Sequence, residues 1–530
     1  MRFPRPILVL SFIFLLHEGV FSQRGPDIES IRRQDLCAHD RFLASDELEG
    51  REAGTRGEKL AAAYIAATFT RLGLVPMGDS GTYFQRFRLE QKKLGTKHSI
   101  TVKSHGGLKT YNRIGEDFYV SPSSAGTEAT GEVIFAGYGI TAKEFEYDDY
   151  ADLDVKGKIV LALGYEPQEK DSSSIFNGAK PTRYADSRRK RRIAQEHGAI
   201  GLMTVVDWGD HDSVSTLMKR FQRFLEGTTT RIAGAAGDIP AFSISSAIAN
   251  QMLMPLGKSV DELQQSIDRD LKPHAFSISD VEITLHAEGS TNYVEAQNVV
   301  GLISGTDSRL KDETLILSAH YDHLGIGKEG QIYYGADDDA SGTSAVMELA
   351  EAFALHPARR SVLCIAFTGE EKGLLGSQYY VDHPVVPLTN TITCLNVDMV
   401  GRIDNHYAPD SNYVFIIGAD RLSTDLHKIN EQANKETARL KLDYTFNDPN
   451  DPNRYYERSD HYNLAQKGIP VIFYTSGDHP DYHKPTDTWD KISFGMMETT
   501  VRLIYQTAWI LTNRQDRLAI DNGKTSGSTH

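Results

Sequence analysis

The sequence predicts an α/β protein, in which helices sandwich a mostly parallel central sheet and a β-rich domain is inserted into the chain. Two observations predict this fold. From residue 298 onward, apolar strand-like runs alternate with helical patterns, which favours parallel strands joined by helices. Between residues 131 and 285, short β-like runs are separated by turn-rich polar stretches that carry no cluster of ligand-type residues.

The sheet and its helices are predicted from local patterns. Short apolar runs indicate strands, and apolar residues at 3.6-residue spacing indicate helices. The expected strands cover residues 314–319, 361–367, 393–397 and 469–474. The expected helices cover residues 57–72, 341–355 and 496–511, and Gly73 is a stop signal for the first of them.

The change of texture along the chain also predicts its domains. We expect a discontinuous sheet domain of residues 23–125 and 288–515, an inserted domain of residues 126–287, and a disordered tail of residues 516–530. The inserted region contains a basic run from Ser187 to Arg192. Such a run can be a targeting or polyanion-binding patch, but Ile193 and Ala194 directly after it favour a solvated helix face.

The first 22 residues have the pattern of a secretory signal. Arg2 and Arg5 precede an apolar run over residues 7–16, which is too short to cross a bilayer as a helix. The small or modest side chains up to Ser22 favour cleavage after that residue, and the alternative is a retained membrane anchor. We therefore expect a secreted or periplasmic protein that keeps no stable membrane anchor after cleavage.

Charge and cysteine content narrow the possible partners. The 530-residue chain has a net charge of −15, which argues against nucleic acid because phosphate binding needs a positive surface. Peptide substrates remain compatible with this charge. The three cysteines, Cys37, Cys364 and Cys394, are too few for a disulfide framework. Cys364 and Cys394 lie in apolar runs and are interpreted as buried small hydrophobes.

Residues of the metal-binding type follow several of the apolar runs. They are His320, the run Asp337-Asp338-Asp339, the pair Glu370-Glu371, Asp398 and His483. Because ligands bind beyond the carboxyl ends of strands in open α/β sheets, these side chains should lie together. The set suits two zinc ions that share a bridging carboxylate, with a free carboxylate to deprotonate the metal-bound water. The pattern therefore predicts a hydrolase.

The residues around His320 and in the aspartate run allow more than one interpretation. Asp322 can accept the second ring N–H of His320, although an isolated His-x-Asp often arises by coincidence. The adjacent His323 stays unassigned. The run Asp337-Asp338-Asp339 carries three like charges that repel one another without a cation, whereas a polar helix N-terminus explains only one of them. The residues alone leave open which aspartate bridges the two ions.

The remaining candidates differ in the strength of their signal. Asp398 lies within an apolar run, where a charge is costly unless it is paired or metal-bound. Of Glu370 and Glu371, one can bind a metal while the other faces the water. His479 competes with His483 for the role of ligand, and the nearby Tyr482 can donate its hydroxyl to a developing oxyanion.

These motifs resemble those of the co-catalytic two-zinc aminopeptidase family, which also includes glutamate carboxypeptidase, the transferrin receptor and glutaminyl cyclases. Residues 43–51 are similar to the N-terminal segment of that family, and residues 296–301 to the return into its catalytic domain. The middle region resembles an inserted protease-associated domain. The resemblance covers nearly all of the chain after the signal, and it implies a zinc exopeptidase fold.

The resemblance also implies the assignment of the metal ligands. His320 and Asp398 would bind one zinc ion. Glu371 and His483 would bind the other, and Asp338 would bridge the two Zn²⁺ ions. No ligand departs from the pattern of the family, which disfavours an inactive, receptor-like member.

Three further residues acquire catalytic roles from the resemblance. Glu370 would be the general base, Asp322 would orient His320, and Tyr482 would polarise the scissile carbonyl. We therefore predict a metallo-aminopeptidase that acts on peptides with a free N-terminus through a metal-bridged hydroxide. The alternatives on the same fold are a carboxypeptidase of the glutamate carboxypeptidase type, a glutaminyl cyclase with one zinc ion, and a receptor-like binding protein without activity.

Overall fold

The computed structural model describes residues 28–225, 227–235 and 237–522. The predicted signal segment of residues 1–22 and residues 523–530 of the predicted tail lie outside the described residues. Contacts divide the chain into two compact units, and the second unit is Arg86–Ala296. Within the described residues, no helix has both the length and the apolar character that crossing a bilayer requires.

The first unit is built on a sheet whose central strands are parallel. From one edge to the other, the order is Lys441–Asp443, Tyr413–Ile417, Val471–Thr475, Thr391–Val397, Thr314–His320, Ser361–Phe367 and residues 299–303 of strand Ala275–Ile303. The four strands from Val471–Thr475 to Ser361–Phe367 run parallel to one another. Antiparallel pairing begins only on either side of them. This order confirms the predicted, mostly parallel sheet.

Helices cover both faces of this sheet. Along strand Thr314–His320, Leu315 and Leu317 pack into one core, and Ile316 points to the opposite core, as alternating side chains of a doubly covered strand do. The helices of the unit are Arg33–Leu43, Arg56–Leu72, Gly342–Leu355, Leu375–Asp382, Thr424–Glu436, His461–Gln466 and Phe494–Asn513. The predicted sandwich is therefore confirmed.

The predicted elements agree with the observed ones to within a few residues. The helix predicted at 57–72 is Arg56–Leu72, which begins after Thr55 and ends at Gly73, a glycine with φ of 76°. The strand predicted at 361–367 is Ser361–Phe367. The sequence does not predict strand Tyr413–Ile417 or helix Arg33–Leu43.

The three cysteines are free thiols. Cys364 and Cys394 are buried within two of the parallel strands, as their apolar surroundings predict. Burial raises the pKa of both thiols, which disfavours the reactive thiolate form. Their interpretation as small hydrophobic residues is therefore confirmed.

Residues 516–522 are part of the described structure, although the sequence predicts a tail from residue 516. Leu518 is buried. The carboxylate of Asp521 accepts a hydrogen bond from the backbone N–H of Thr424 at 3.1 Å, at the first turn of helix Thr424–Glu436. These contacts fasten the segment to the first unit, so the ordered chain extends beyond residue 515.

The second unit contains a sheet and helices of its own. Its strands include Phe118–Val120, Thr127–Ala136, Ile159–Leu163, Gly201–Val205 and Ala241–Ile244, and its helices are Ser187–Glu196, Val214–Leu225, Ser246–Leu253 and Val260–Asp270. The unit begins earlier than the predicted insertion at 126–287, because the long strand Phe84–Ser104 pairs with Gly107–Tyr111 and Thr228–Ile232. Its assignment as a protease-associated domain stays a prediction.

The basic run of the second unit lies on helix Ser187–Glu196. Arg188 and Arg192 are exposed, and each lies within 4 Å of a carboxylate close to it in sequence. Lys190 differs from them, because it is buried and its ammonium donates a hydrogen bond to the backbone carbonyl of Leu163 at 3.1 Å. The run is therefore a helix face that is solvated at Arg188 and Arg192 and buried at Lys190, while Arg191 is largely covered and lies 3.5 Å from Asp238.

Candidate metal centre

The candidate ligands meet at the carboxyl edge of the parallel strands in the first unit. His320 closes strand Thr314–His320, Asp398 follows Thr391–Val397, and Glu370 with Glu371 follows Ser361–Phe367. Asp338 lies in the six-residue turn Ala336–Ser341 that leads into a helix. His483 comes from the loop beyond strand Val471–Thr475. Since parallel strands end at one edge, residues distant in sequence become neighbours there.

The first group of ligand atoms surrounds the imidazole of His320. Its Nε2 lies 3.2 Å from Oδ1 of Asp338 and 3.6 Å from Oδ1 of Asp398. Oε2 of Glu370 lies slightly farther from the same nitrogen, at 3.9 Å. Glu370 therefore stands beside this group, and His320, Asp338 and Asp398 form its centre.

The second group uses the other oxygen of Asp338. Nε2 of His483 lies 3.0 Å from Oδ2 of Asp338 and 3.3 Å from Oε2 of Glu371. A second imidazole, that of His323, also faces these carboxylates, with Nδ1 2.8 Å from Oε1 of Glu371. Asp338 thus presents one oxygen to each group. The sequence analysis leaves His323 unassigned. The only sequence signal for a role in this group is its position three residues after His320.

Asp322 contacts His320 in a different way from the one predicted. The ring Nδ1 of His320 lies 3.1 Å from the backbone carbonyl oxygen of Asp322, whereas the nearest carboxylate oxygen of Asp322 is 3.7 Å away. That carboxylate instead accepts a hydrogen bond from the backbone N–H of Glu370 at 3.1 Å. Asp322 therefore orients the imidazole through its backbone and the Glu370 segment through its side chain.

The two outer aspartates of the triple run bind backbone and do not face the ligand groups. Oδ1 of Asp339 accepts hydrogen bonds from the N–H groups of Gly342 and Met399, and Oδ2 accepts one from the N–H of His320. Asp337 accepts the N–H of Gly401 at 2.6 Å. Asp338, the middle residue, is the one whose carboxylate faces the ligand groups. Its two neighbours bind the turn to the segments that carry His320 and Asp398.

His479, the competitor of His483, lies on a different side of this turn. It is buried, and its Nε2 is 3.4 Å from Oδ2 of Asp337. Asp487 closes the same region, because its carboxylate accepts the backbone N–H groups of Asp337 and Asp338 at 3.0 and 3.3 Å. His479 therefore supports the turn and does not join either group of ligand atoms.

A chain of buried side chains holds Asp398. The hydroxyl of Ser459 donates to Oδ2 of Asp398 at 2.6 Å, and Asn396 donates its amide N–H to that hydroxyl oxygen at 2.8 Å. Ser318 in turn donates to the amide oxygen of Asn396 at 2.6 Å. Because the serine engages Oδ2, Oδ1 of Asp398 remains directed at His320.

Tyr482 stands at the more exposed side of the centre. Its ring stacks on that of His483, with 3.9 Å between the ring centroids. The guanidinium of Arg458 donates a hydrogen bond to the Tyr482 hydroxyl oxygen at 3.1 Å and lies over the ring of Tyr455. The sequence gives no signal for Arg458, because only the folded loops bring it to Tyr482.

Buried carboxylates repel one another at this edge of the sheet. Burial raises the pKa of Asp339 well above its usual range, and repulsion from Asp398 raises it further. Burial likewise raises the pKa of Glu370, where the attraction of His320 opposes the repulsion of Glu371. Such crowding is expected where a cation completes the charge balance.

The carboxylates also raise the pKa values of two imidazoles in the centre. Burial by itself would lower the pKa of His483, but the neighbouring carboxylates of Asp338 and Glu371 raise it to about 10. The pKa of His320 is also raised, because Asp398 and Glu370 outweigh its burial. The imidazoles of His320 and His483 therefore both lie where the surrounding carboxylates favour a positive charge.

The residues of the centre fit two divalent cations. The ligand atoms of His320, Asp338 and Asp398 lie within 4.8 Å of one another, and so do those of His323, Asp338 and Glu371. Oδ2 of Asp338 and Oε1 of Glu371 are buried and have no hydrogen-bond partner. An unsatisfied buried polar atom costs about 1–3 kcal/mol. A cation between these atoms would remove that cost.

Comparison with known proteins assigns the part of the chain that carries the candidate ligands. Residues 298–508 match the family described as Peptidase family M28. Residues 298–508 form a peptidase family M28 domain. Every candidate ligand and catalytic residue lies in this M28 domain, and the predicted family relationship is confirmed.

Curated relatives of the M28 domain include two kinds of peptidase. The aminopeptidase YwaD of Bacillus subtilis is 28% identical over 230 residues, which cover 40% of this chain and 44% of that protein. A probable glutamate carboxypeptidase, AMP1 of Arabidopsis thaliana, is 24% identical over 399 residues, which cover 70% of this chain and 51% of that protein. The chain thus spans about half the length of the curated relatives that it matches.

A solved structure shares the fold. The aminopeptidase from Aneurinibacillus sp. strain AM-1 aligns with a TM-score of 0.52 and 19% sequence identity, over 93% of this chain and 97% of that one. This likeness supports the architecture around the M28 domain, a mostly parallel sheet between helices. The identity is too low to transfer an activity.

Proposed function

We propose that this protein is a zinc-dependent aminopeptidase that removes residues from the N-terminus of peptides. The observation that carries the proposal is the position of Asp338, whose two oxygens face two separate groups of imidazole and carboxylate ligands. Glu370 stands beside the first group. A carboxylate shared by two cations, with a free carboxylate nearby, is suited to activating water for hydrolysis.

The two ions would be held by the five ligands that the family resemblance implies. His320 and Asp398 would bind one zinc ion and Glu371 and His483 the other, with Asp338 between them. Mixed imidazole and carboxylate ligands suit zinc. Bound zinc supplies a Lewis acid that polarises the substrate carbonyl and lowers the pKa of water.

Glu370 is the proposed general base. Its carboxylate takes the proton of the attacking water and passes that proton to the leaving amine, so the departing peptide leaves as a neutral amine. The hydrogen bond from the Glu370 N–H to Asp322 fixes the backbone of this segment. Asp322 thereby positions the base, in addition to contacting the ring of His320.

Tyr482 is the proposed donor to the oxyanion. A guanidinium can only donate hydrogen bonds, so the Tyr482 oxygen must be the acceptor in its contact with Arg458. The single hydroxyl proton of Tyr482 is then available for the carbonyl oxygen of the substrate. Arg458 thus supports the direction of donation that the mechanism needs.

Replacing Tyr482 by Phe should lower kcat about 10²-fold, the usual cost of losing one oxyanion donor. KM should change little, because the interaction forms in the transition state. Steady-state kinetics on an aminoacyl-4-nitroanilide measure both constants, and Tyr444→Phe, a tyrosine outside the centre, is the control. An increase in KM at constant kcat would instead assign Tyr482 to ground-state binding.

The carboxypeptidase alternative has one observation in its favour. Arg458 is exposed, and no carboxylate of the described residues forms a salt bridge with it. A guanidinium without a carboxylate partner beside the catalytic residues could hold a substrate carboxylate. The Arabidopsis relative, named as a probable glutamate carboxypeptidase, supports the same alternative.

A substrate panel separates the alternatives. We expect hydrolysis of aminoacyl-4-nitroanilides and of peptides with a free N-terminus, and no hydrolysis of the same peptides after N-acetylation. A carboxypeptidase would accept the acetylated peptides and release their C-terminal glutamate. A glutaminyl cyclase would convert N-terminal glutamine with one bound zinc ion, and an inactive binding protein would turn over none of these substrates.

Removal of the metal should abolish the activity. We expect dialysis against 1,10-phenanthroline to reduce turnover to background, because Glu370 alone cannot activate water sufficiently. Addition of zinc should restore turnover, with full recovery at two ions per chain measured by inductively coupled plasma mass spectrometry. Activity that survives complete removal of metal would refute the proposed function.

Export belongs to the same proposal. The basic residues and short apolar run of the first 22 residues support a signal that is cleaved near Ser22. Cleavage would release the peptidase into the periplasm or the medium, where peptide substrates would reach it. We propose this location on the sequence pattern alone.

A further inference from the structure

We propose that His323 is a further metal ligand, which binds the second cation together with Asp338, Glu371 and His483. This inference rests on the proposed metallopeptidase function and adds a residue beyond the five ligands that the family resemblance implies. His323 is fully buried. Neither of its ring nitrogens has a hydrogen-bond partner, so its burial is unexplained without a ligand.

The contact between His323 and Glu371 has the distance of a hydrogen bond without the geometry of one. Nδ1 of His323 lies 2.8 Å from Oε1 of Glu371, yet both atoms lack a hydrogen-bond partner. The same nitrogen is 3.8 Å from Oδ2 of Asp338, which also lacks a partner. Three buried donor atoms that converge without bonding to one another are arranged as ligands of a common ion.

The distances in the second group scatter around the spacing of tetrahedral zinc ligands. Bonds of about 2.0–2.2 Å at tetrahedral angles put neighbouring ligand atoms roughly 3.3–3.6 Å apart. The contacts of His483 are 3.0 and 3.3 Å, and those of His323 are 2.8 and 3.8 Å. The two imidazole rings lie next to each other, with 5.9 Å between their centroids and ring planes inclined by 66°. Both rings therefore contact the same two carboxylates, which is the arrangement that the proposed shared ion requires.

The surrounding backbone leaves the His323 ring little freedom. The backbone N–H of His323 donates to the backbone carbonyl of Arg51 at 3.2 Å. The ring packs against Gly335 so closely that a Cβ at position 335 would lie 2.4 Å from the ring. Since Gly335 also has a φ of 56°, a side chain there would be strained as well as obstructed. The imidazole is thus held in place before any ion binds.

The additional ligand makes the two cation positions unequal. The second position then has four protein ligands, which is the closed set of a structural zinc site. The first position has three, His320, Asp338 and Asp398, which is the open set of a catalytic site. The open position is the one beside Glu370. We infer that water and substrate exchange at the first position, while the second ion mainly fixes Asp338 and Glu371.

His323→Phe tests the assignment, because it fills the space of the ring and removes both nitrogens. Zinc content is measured by mass spectrometry during competition with a chelator of known affinity, and cobalt substitution reports the coordination of each ion by its visible absorption. We expect wild type to hold two ions. The variant should keep the first ion and bind the second more than 100-fold more weakly, with the cobalt absorption of the second ion changed.

The controls separate a ligand from a neighbour. His98→Phe removes another buried histidine with an unpartnered ring nitrogen, in the second unit, and should leave both affinities unchanged. His323→Asn serves if the phenylalanine variant does not fold. A loss of only 10–100-fold with an unchanged cobalt spectrum would mean that His323 merely orients Glu371, and the assignment would be overturned. Wild type that binds no zinc would overturn the proposed function itself.

Discussion

Glu370→Gln is expected to lower kcat by about 10²–10⁴-fold while both zinc ions remain bound. A positioned general base contributes that factor to proton transfer, and glutamine has nearly the same shape but cannot accept the proton. Metal binding should survive because Glu370 is the most distant of the carboxylates around His320, at 3.9 Å, and the ligand atoms proper lie closer. The variant therefore separates the role of Glu370 in proton transfer from any role in metal binding.

The experiment measures kcat and zinc content on the same preparation. Glu52→Gln is the matched control, because it removes a carboxylate of the same type that forms an ion pair with Lys372 near the centre, at 2.8 Å. Such a partly exposed pair is worth about 0–1 kcal/mol, so the control should keep its turnover within a few-fold. Turnover of Glu370→Gln at the wild-type rate would show that another group takes the proton. Loss of zinc would show that Glu370 is a ligand.

The catalytic edge could be predicted from the sequence because its signals are local. Each of these ligand-bearing strands is a mainly apolar run, and the ligand lies at its last residue or within four residues after it. Once the strands are parallel, topology alone brings His320, Glu371 and Asp398 to one edge. The long-range arrangement thus follows from short-range patterns.

The contacts of the residues around the ligands depend on loop conformation. Local sequence patterns predict loop conformation less directly than they predict strands. Asp322 has the spacing to orient His320, but its loop turns the carboxylate to the backbone of Glu370 and the carbonyl to the ring. The three aspartates look equivalent as charges. The fold distinguishes them because Asp339 alone reaches the N–H groups of His320 and Met399.

Of two elements that the sequence does not predict, strand Tyr413–Ile417 is an unbroken apolar run, whereas helix Arg33–Leu43 has an interrupted apolar face. Helix Arg33–Leu43 buries Leu36, Leu43 and also Asp40, so a charged residue interrupts its apolar face. The boundary of the second unit at Arg86 depends on strand pairing between segments far apart in the chain. That boundary has no local signature of hydrophobic periodicity.

Arg51→Met is expected to destabilise the first unit by at least about 3 kcal/mol, since hydrogen bonds to a buried charged group contribute roughly 1.5–3 kcal/mol each. The Arg51 side chain is fully buried. Its guanidinium donates to four backbone carbonyls, those of Leu43, Tyr321, Tyr334 and Gly335. Methionine fills much of the space but removes the guanidinium donor from all four carbonyl groups, of which Gly335 keeps a second donor, the N–H of Ala340 at 3.2 Å.

The effect should extend to the metal centre because of where these carbonyls lie. Tyr321 directly follows His320, and Gly335 precedes the turn that carries Asp338. The neighbouring Gly50 lets the segment approach closely, because a Cβ there would lie 2.5 Å from the carbonyl oxygen of Tyr333. Arg51 therefore fastens the N-terminal segment to the two loops that hold His320 and Asp338. Zinc affinity should fall together with stability.

Urea unfolding followed by the fluorescence of Trp489 and Trp509, together with zinc titration, measures both effects. Arg56→Met is the matched control, because Arg56 lies in the same segment with a side chain that is 71% exposed, and its pair with Glu49 is weak at 3.8 Å. That control should change stability by less than about 0.5 kcal/mol. Arg51→Lys keeps the charge but cannot reach four carbonyls, so it should lie between wild type and Arg51→Met. Equal unfolding midpoints for Arg51→Met and Arg56→Met would show that the buried guanidinium does not hold the two loops together.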